Sequence, residues 1–121
     1  MKIVLATYNR HKKHEFEALF KGTGIEILSL SDLDCKEEIV EDGSTFVENA
    51  MIKARAIYNL YQLPTLADDS GICIDGLGGE PGIHSARFGG YDTPSAVKNR
   101  KIIGMLEGNP ERGAHYTCAC A

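Results

Sequence analysis

The chain begins with a short apolar run, KIVLAT at residues 2–7, which passes without a break into a helical pattern. The branched aliphatic side chains and the length of this run are typical of a buried β-strand. Asn9 is suited to cap the helix that follows, and Gly22 is suited to end it. IEILSL at residues 25–30 alternates apolar and polar side chains, which predicts a second strand. The beginning of the chain therefore predicts the order strand, helix, strand.

A second helix is predicted after the acidic, irregular segment at residues 31–43. Thr45 and Glu48 have the T-x-x-E spacing of a capping box, in which each side chain accepts a hydrogen bond from the other residue's backbone N–H. Apolar residues then recur at helical spacing as far as Tyr61. We expect Pro64 to end this helix, because proline cannot continue its hydrogen bonding.

The remainder of the chain predicts further strands, a loop and a third helix. TLAD and GICID predict two short strands on either side of a tight DDSG turn. Residues 76–92 are glycine-rich and predict a long ordered loop. Thr93 followed by Pro94 predicts the N-cap and the first residue of a helix. AHYTCACA at residues 114–121 alternates like a strand.

The size and charge of the chain exclude several classes of protein. Its 121 residues predict a single domain, 1–121. The formal net charge of −4 argues against a surface for duplex nucleic acid. No apolar run approaches the ~20 residues that cross a bilayer, and the N-terminus lacks the features of a signal peptide. We therefore expect a cytoplasmic protein without nucleic-acid or membrane partners, in which the four cysteines are reduced thiols.

The turn between the first strand and its helix is one candidate binding site. A helix N-terminus offers free N–H groups and the positive end of the helix dipole to a phosphate. Thr7 and Asn9 can donate hydrogen bonds there, and Lys12 adds a positive charge. The alternative is a simple N-cap on a solvated basic helix, and the residue types alone leave both interpretations open.

Acidic residues in two segments form a candidate metal site. Glu41 lies in the acidic segment at residues 37–42, and Asp68 and Asp69 are adjacent in the DDSG sequence. Mg²⁺ prefers oxygen ligands and often takes one or two carboxylates together with substrate phosphates. The alternatives are a solvated acidic loop and an aspartate-rich turn. On an extended strand the adjacent side chains would point to opposite faces, so at most one of the two carboxylates would contact a given ion.

Lys53 and Arg87 are further candidates for phosphate binding. Lys53 lies near the apolar face of the second predicted helix, where it can reach a phosphate or extend its ammonium group to solvent. Arg87, in the glycine-rich loop, can bind a phosphate or pair with a carboxylate. The sequence pattern leaves these alternatives open.

Four segments of the chain, taken in order, resemble a single family. They are MKIVLATYNRHKKHEFEAL, EDGSTFVENAMIKARA, LADDSGICIDGLGGEPGIHSARFGG and NRKIIGMLEG. Together they are similar to the inosine/xanthosine triphosphate pyrophosphatase family, and the similarity covers nearly the whole chain. The third segment is the most specific. The resemblance implies an elongated α/β fold, with a mixed sheet and flanking helices around a central cleft, and usually a homodimer.

The resemblance also implies an enzyme. Members of the family use Mg²⁺ to hydrolyse non-canonical purine nucleoside triphosphates (ITP, dITP and XTP) to the monophosphate and pyrophosphate. The family's T-x-N-x-x-K segment falls on Thr7, Asn9 and Lys12, which would hold the triphosphate. Asp69 falls on the family's general base and metal ligand.

Other positions of the family's site fall on Lys53, Asp68 and Ser70. The resemblance implies that Lys53 lies in the cleft, that Asp68 orients its surroundings and that Ser70 contacts the substrate. Two positions depart from the family pattern. Tyr8 replaces a glycine within the substrate-binding T-x-N segment, and Val40 replaces an acidic metal ligand, so we expect Glu41 to supply the second metal ligand.

The family continues with a late F-G-Y-D-like segment that holds the purine base and with an S-H-R motif. Neither late segment occurs in this sequence, so the resemblance implies an incomplete domain, truncated at its C-terminal side. Two alternatives to an active purine nucleotide pyrophosphatase follow. One is a non-catalytic remnant that binds nucleotide weakly or not at all, and the other is a Maf-like nucleotide pyrophosphatase with a canonical pyrimidine substrate.

Overall fold

A computed structural model describes residues 1–90 and 92–121 of the chain. The contacts among them divide into two compact units. The first unit contains Met1–Asp68 and Ala119–Ala121, and the second contains Asp69–Cys118. The single domain spanning 1–121 stays a prediction. Tyr91, which belongs to the predicted glycine-rich loop, lies outside the described residues.

The helices and strands confirm the α/β class predicted from the sequence. In chain order they are β1 (Lys2–Leu5), α1 (Arg10–Leu19), β2 (Glu26–Ser29), α2 (Phe46–Tyr61), β3 (Thr65–Leu66), β4 (Asp68–Ile74), α3 (Ser95–Met105) and β5 (Ala114–Cys120), with 3₁₀ turns at Asp75–Leu77 and Gly82–His84. Of the helices formed by the described residues, none has the length and apolar character needed to cross a bilayer.

The first unit contains a three-stranded parallel sheet in the order β2-β1-β3. β1 is the central strand, with Leu5 opposite Ser29 on one side and opposite Leu66 on the other. Val4 and Leu5 are completely buried, as expected for the middle strand of a parallel sheet, whose two faces are both covered. The main core cluster joins β1 to Ile57 of α2.

The N-caps of α1 and α2 agree with the sequence pattern, but the end of α2 differs from it. Asn9 caps α1 with its side-chain oxygen, and Thr45 Oγ1 accepts a hydrogen bond of 3.1 Å from the N–H of Glu48. The Glu48 carboxylate accepts from the N–H of Ser44 rather than from that of Thr45. α2 ends before Pro64, because Gln62 adopts a left-handed conformation with φ of 53°.

Two local predictions for the second unit are wrong. DDSG is not a tight turn between two strands but the start of β4, which forms a two-stranded sheet with β5. Pairing with a strand distant in sequence overrides the local turn preference of these residues. α3 begins at Ser95 after an N-cap at Pro94, and Thr93 instead donates its hydroxyl proton to the Gly89 carbonyl.

A small apolar core organises the second unit. Ile74 of β4 packs with Ile102 of α3 and with Leu106, which directly follows α3, and partly buried residues at 72, 77 and 88 surround them. The third helix predicted from the sequence therefore buries Ile102, whereas Ile103 of the same helix is exposed.

Candidate functional site

The carboxyl ends of β1 and β3 position the candidate site. Both strands are parallel to each other, so the segments that follow them begin at the same edge of the sheet. The connection from β1 leads to β2 on one side, whereas β3 lies on the other side. Such a switch in connection direction is the usual place for ligands in open α/β sheets. Thr7, Asn9 and Asp68 lie directly after these two strands.

The turn after β1 is ordered by its own polar side chains. Thr7 Oγ1 accepts a hydrogen bond of 3.1 Å from the Asn9 N–H. Asn9 Oδ1 accepts from the N–H groups of His11 at 2.9 Å and Lys12 at 3.4 Å. Within residues 1–90 and 92–121, the Asn9 side-chain N–H groups donate to no described acceptor. The structural role predicted for Asn9 is therefore confirmed, and it leaves these donors available.

Charged groups of the first unit converge on Asp68. Lys12 Nζ lies 2.9 Å from Asp68 Oδ2, and the Lys53 ammonium group donates to the Asp68 backbone carbonyl. Lys53 Nζ also lies 2.9 Å from Glu41 Oε1. The structure thus brings together Lys12, Lys53, Glu41 and Asp68, which the sequence places in four separate segments.

The charged side chains in these ion pairs are withdrawn from solvent to different degrees. The side chain of Asp68 is 6% exposed and that of Lys53 is 13% exposed, whereas Glu41 is 37% exposed. Paired charges withdrawn from water incur a desolvation penalty, so they are weak evidence for stability and are common at functional sites. Lys53 does not extend to solvent, because its ammonium group is held between Glu41 and the Asp68 carbonyl.

One carboxylate oxygen in this cluster lacks a hydrogen bond. Asp68 Oδ1 is buried and has no hydrogen-bond partner among the described residues, whereas its Oδ2 pairs with Lys12. Buried polar atoms are nearly always satisfied in folded proteins, so an unsatisfied carboxylate oxygen points to a donor or a cation that binds there. The chemistry of this atom suits a hard metal ion or a substrate hydroxyl group.

Asp69 and Ser70 begin the second unit and are both partly buried. They follow Asp68 directly on β4, where successive side chains point to opposite faces of the strand. Their predicted roles, and that of Glu41 as a metal ligand, stay predictions. The described residues contain no group of three or more His, Cys, Asp or Glu side chains arranged to hold a metal ion.

The Tyr8 side chain extends to the segment at residues 35–37. Its hydroxyl group lies 2.8 Å from the Glu37 carbonyl, 3.2 Å from the Cys35 carbonyl and 3.5 Å from Cys35 Sγ. Its φ is negative, so the residue is accommodated here without a left-handed backbone. The hydrogen bond to Cys35, followed by burial, raises the pKa of Tyr8 to about 12.

Cys35 was not identified as a site residue from the sequence. Burial by itself raises the pKa of the Cys35 thiol, but hydrogen bonds from Tyr61, Tyr8 and the Glu37 backbone outweigh burial and lower the pKa below its ordinary value. A buried cysteine in an irregular acidic segment has no sequence signal for these contacts, because Tyr8 and Tyr61 lie far from it along the chain.

Comparison with known proteins identifies the family. The profile of the Ham1 family matches residues 3–121. The chain belongs to the Ham1 family. This assignment confirms the resemblance found in the sequence, because relatives that match the chain carry the name dITP/XTP pyrophosphatase.

Two curated relatives and one solved structure illustrate the similarity. The dITP/XTP pyrophosphatase of Geobacillus kaustophilus is 46% identical over 121 residues, which are 98% of this chain and 59% of the relative. That of Thermoanaerobacter pseudethanolicus is 42% identical and covers 100% of this chain and 62% of the relative. A HAM1 protein from Coxiella burnetii superposes with a TM-score of 0.88 at 37% identity, over 100% of this chain and 62% of that structure. The chain therefore spans about three fifths of the length of these relatives.

In this Ham1 family member, Asp68 belongs both to the most specific sequence segment and to the charged cluster. The ADDSG sequence supplies Asp68, the T-x-N-x-x-K segment supplies Lys12, and the capped second helix supplies Lys53. The family resemblance thus draws on residues that the first unit does bring into contact.

Proposed function

We propose that the protein hydrolyses non-canonical purine nucleoside triphosphates (ITP, dITP and XTP) to the monophosphate and pyrophosphate. The observation that carries this proposal is the convergence of Lys12 and Lys53 on the buried Asp68, at the end of two parallel strands. Relatives named dITP/XTP pyrophosphatase support the choice of substrate.

The triphosphate would bind at the turn after β1. Thr7 and the side-chain N–H groups of Asn9 would donate hydrogen bonds to phosphate oxygens, while Lys12 and Lys53 supply positive charge. Both ammonium groups are already paired with carboxylates, so the site carries little net charge before the nucleotide binds. The incoming phosphates would therefore compete with Asp68 and Glu41 for the two lysines.

Mg²⁺ is the cofactor in this proposal, with Asp69 and Glu41 as its protein ligands. The unsatisfied Oδ1 of Asp68, the residue that precedes Asp69, supports the choice of a hard cation. When bound, Mg²⁺ would polarise the phosphoryl oxygens and neutralise part of their charge. With so few protein ligands, phosphate oxygens of the substrate are expected to complete the coordination.

Asp69 is the general base in this proposal. Its carboxylate accepts a proton from a water molecule, whose oxygen forms a bond to the α-phosphorus. The bond from the α-phosphorus to the bridging oxygen breaks, and pyrophosphate leaves with that oxygen and the bonding electron pair. Lys12 and Lys53 offset the charge on the phosphate oxygens, and we expect this electrostatic contribution to be the largest part of the rate enhancement.

The remaining residues support the substrate and the catalytic groups. Asp68 holds the Lys12 ammonium group through their 2.9 Å ion pair, and Ser70 contacts the nucleotide. The homodimer and the cytoplasmic location implied by the sequence stay predictions.

Asp69→Asn tests the assignment of the general base. We expect pyrophosphate release from inosine triphosphate in the presence of Mg²⁺ to fall at least about 100-fold, because the amide cannot accept the proton. Asp42→Asn is the matched control, since Asp42 is exposed and belongs to no described ion pair, and we expect its activity to stay within about twofold of wild type. Equal activity in the two variants would eliminate Asp69 as the base.

Titration calorimetry for binding, together with the assay of pyrophosphate release for turnover, separates this proposal from its alternatives. Turnover of inosine triphosphate by the wild-type chain supports the proposed reaction. Binding of the nucleotide without turnover contradicts it and favours a non-catalytic nucleotide-binding protein. Preference for a canonical pyrimidine triphosphate contradicts the proposed substrate class and favours a Maf-like activity.

A further inference from the structure

The hydroxyl group of Tyr8 joins two segments that flank the charged cluster. Tyr8 lies in the turn that carries Thr7 and Asn9, whereas its acceptors, the carbonyl groups of Cys35 and Glu37, lie 27 and 29 residues further along the chain. The second segment continues to Glu41, which pairs with Lys53. The Tyr8 hydroxyl is therefore a direct link between the turn after β1 and the acidic segment.

One of the two carbonyl acceptors of this link, that of Cys35, is anchored in the core of the first unit. Cys35 is 7% exposed and belongs to the same apolar cluster as Val4 and Ala6, which lead into the turn. The Cys35 N–H donates to the Leu30 carbonyl at 2.9 Å, and Leu30 is itself almost completely buried. A hydrogen bond to such an anchor restrains the turn more than a bond to a mobile loop would.

The same contact argues against a direct role for this hydroxyl on phosphate. Tyrosine has a single hydroxyl proton, and the Glu37 carbonyl is its nearest described acceptor at 2.8 Å. The proton is therefore engaged before any nucleotide binds. The hydroxyl group also stays protonated throughout the neutral range, because the pKa of Tyr8 is raised to about 12.

We propose that Tyr8 is a positioning residue, which holds the Thr7–Asn9 turn in its nucleotide-binding conformation through the hydrogen bond from its hydroxyl group to the segment at residues 35–37. This inference rests on the proposed nucleotide site, but it concerns the order of the turn before binding. A turn that is ordered in advance binds its ligand more tightly, because less conformational freedom is lost on binding.

Tyr8→Phe keeps the ring and removes only the hydroxyl group. Tyr61→Phe is the matched control, because Tyr61 also hydrogen-bonds to Cys35 but belongs to α2 rather than to the turn. We expect Tyr8→Phe to raise KM for inosine triphosphate about three- to fivefold with kcat within about twofold of wild type, and Tyr61→Phe to change neither beyond about twofold. The KM ratio of Tyr8→Phe to wild type should be constant between about pH 6 and 9, because the hydroxyl group does not titrate there.

Hydrogen exchange of the nucleotide-free protein tests the link independently of activity. We expect amides at residues 9–12 to exchange several-fold faster in Tyr8→Phe and at the wild-type rate in Tyr61→Phe. Unchanged exchange in Tyr8→Phe overturns the positioning role, whatever happens to KM, and a raised KM with unchanged exchange would assign Tyr8 to direct substrate contact. Faster exchange with an unchanged KM also overturns the proposal. A wild-type chain without turnover would count against the proposed function, and in that case the nucleotide dissociation constant replaces KM in the same comparison.

Discussion

The corner formed by β1, α1 and β2 in the first unit is held together differently from the glycine-rich segment at residues 75–90 in the second. In the first, Lys13 of α1 lies 2.9 Å from Asp32, which also accepts a 2.8 Å hydrogen bond from the Ser29 N–H. In the second, Ser85 Oγ accepts from the Ile72 N–H at 2.9 Å and donates to the Gly82 carbonyl at 2.6 Å. In the first region an ion pair between two charged side chains joins the elements. In the second, a neutral hydroxyl group joins two backbone segments.

The second region also contains a position whose surroundings leave no room for a side chain. At Gly76 a Cβ atom would lie 2.6 Å from the Glu111 carbonyl oxygen and 2.7 Å from a Leu106 methyl group. The first unit has a comparably close approach at Gly43, where a Cβ atom would lie 2.6 Å from Asn49 Oδ1. Among the described residues, six buried residues form the core cluster of the first unit and three form that of the second. We infer that the two units differ in the size of their apolar cores, whereas close backbone approach occurs in both.

Truncation of a core isoleucine should show the largest difference between the units. Ile57→Ala removes a completely buried side chain, and we expect a loss of unfolding free energy towards the upper end of about 2–5 kcal/mol. Ile102→Ala, at 9% exposure in the smaller cluster, should lie towards the lower end of that range. Denaturant unfolding of both variants measures the two losses, and the reverse order would contradict the comparison.

Substitution of glycine should sharpen the contrast in backbone packing. We expect Gly76→Ala to destabilise the protein by about 1–3 kcal/mol, because the new methyl group overlaps fixed backbone and side-chain atoms. Gly104→Ala is the control, because it lies inside α3 with no atom within 4 Å of the added Cβ. Alanine favours the helix there by about 0.8–1.0 kcal/mol. The midpoint temperature of thermal unfolding should therefore fall in Gly76→Ala and rise in Gly104→Ala. Two shifts of the same sign would refute the packing argument.

The smallest predicted effect concerns Asp32 and depends on pH. The Ser29 N–H, and then Lys13, lower the pKa of Asp32 below its ordinary value. A carboxylate with a lowered pKa stabilises the fold above the unfolded-state pKa and loses that contribution as pH falls through the folded-state value. At neutral pH we expect the unfolding free energy of wild type to exceed that of Asp32→Asn by roughly 0.5–1 kcal/mol, a figure already reduced for solvent screening. This difference should shrink below about pH 4.

Asp34→Asn is the control for this measurement, because the Asp34 carboxylate makes no described salt bridge. Subtracting its curve from that of Asp32→Asn removes the general effect of losing one negative charge. Denaturant unfolding at several pH values gives both curves. An Asp32→Asn difference that stayed constant down to low pH would show that the carboxylate charge does not contribute.

Local sequence signals predicted much of the first unit. The apolar run before Asn9, the Asn9 side chain and the Thr45–Glu48 spacing all depend on neighbours within a few residues, and β1, α1 and α2 begin where these signals place them. The predicted ends were less accurate, because α2 ends through a left-handed Gln62 rather than at Pro64. A helix end depends on whether the next residue can satisfy the last carbonyl groups, which is weakly encoded in residue type.

The candidate site was predicted as a set of residue types but not as an arrangement. Asp68 and Lys53 were identified individually, yet nothing in their spacing predicts that the Lys53 ammonium group reaches the Asp68 carbonyl as well as Glu41. Cys35 and the Glu37 carbonyl were missed, because their importance comes from the Tyr8 hydroxyl group. Backbone carbonyl groups are present at every residue and carry no sequence signal.

The sequence by itself determined the α/β class, the start of each helix in the first unit and the family to which the chain belongs. These properties follow from short-range hydrogen bonding, from the period of apolar residues and from the specific segments around Asn9 and Asp68. Only the tertiary structure decided that DDSG continues a strand, that two lysines meet at Asp68 and that Tyr8 reaches the segment at residues 35–37. Each of these depends on where the fold brings residues that are distant in sequence, and local conformational preference contains no information about that distance.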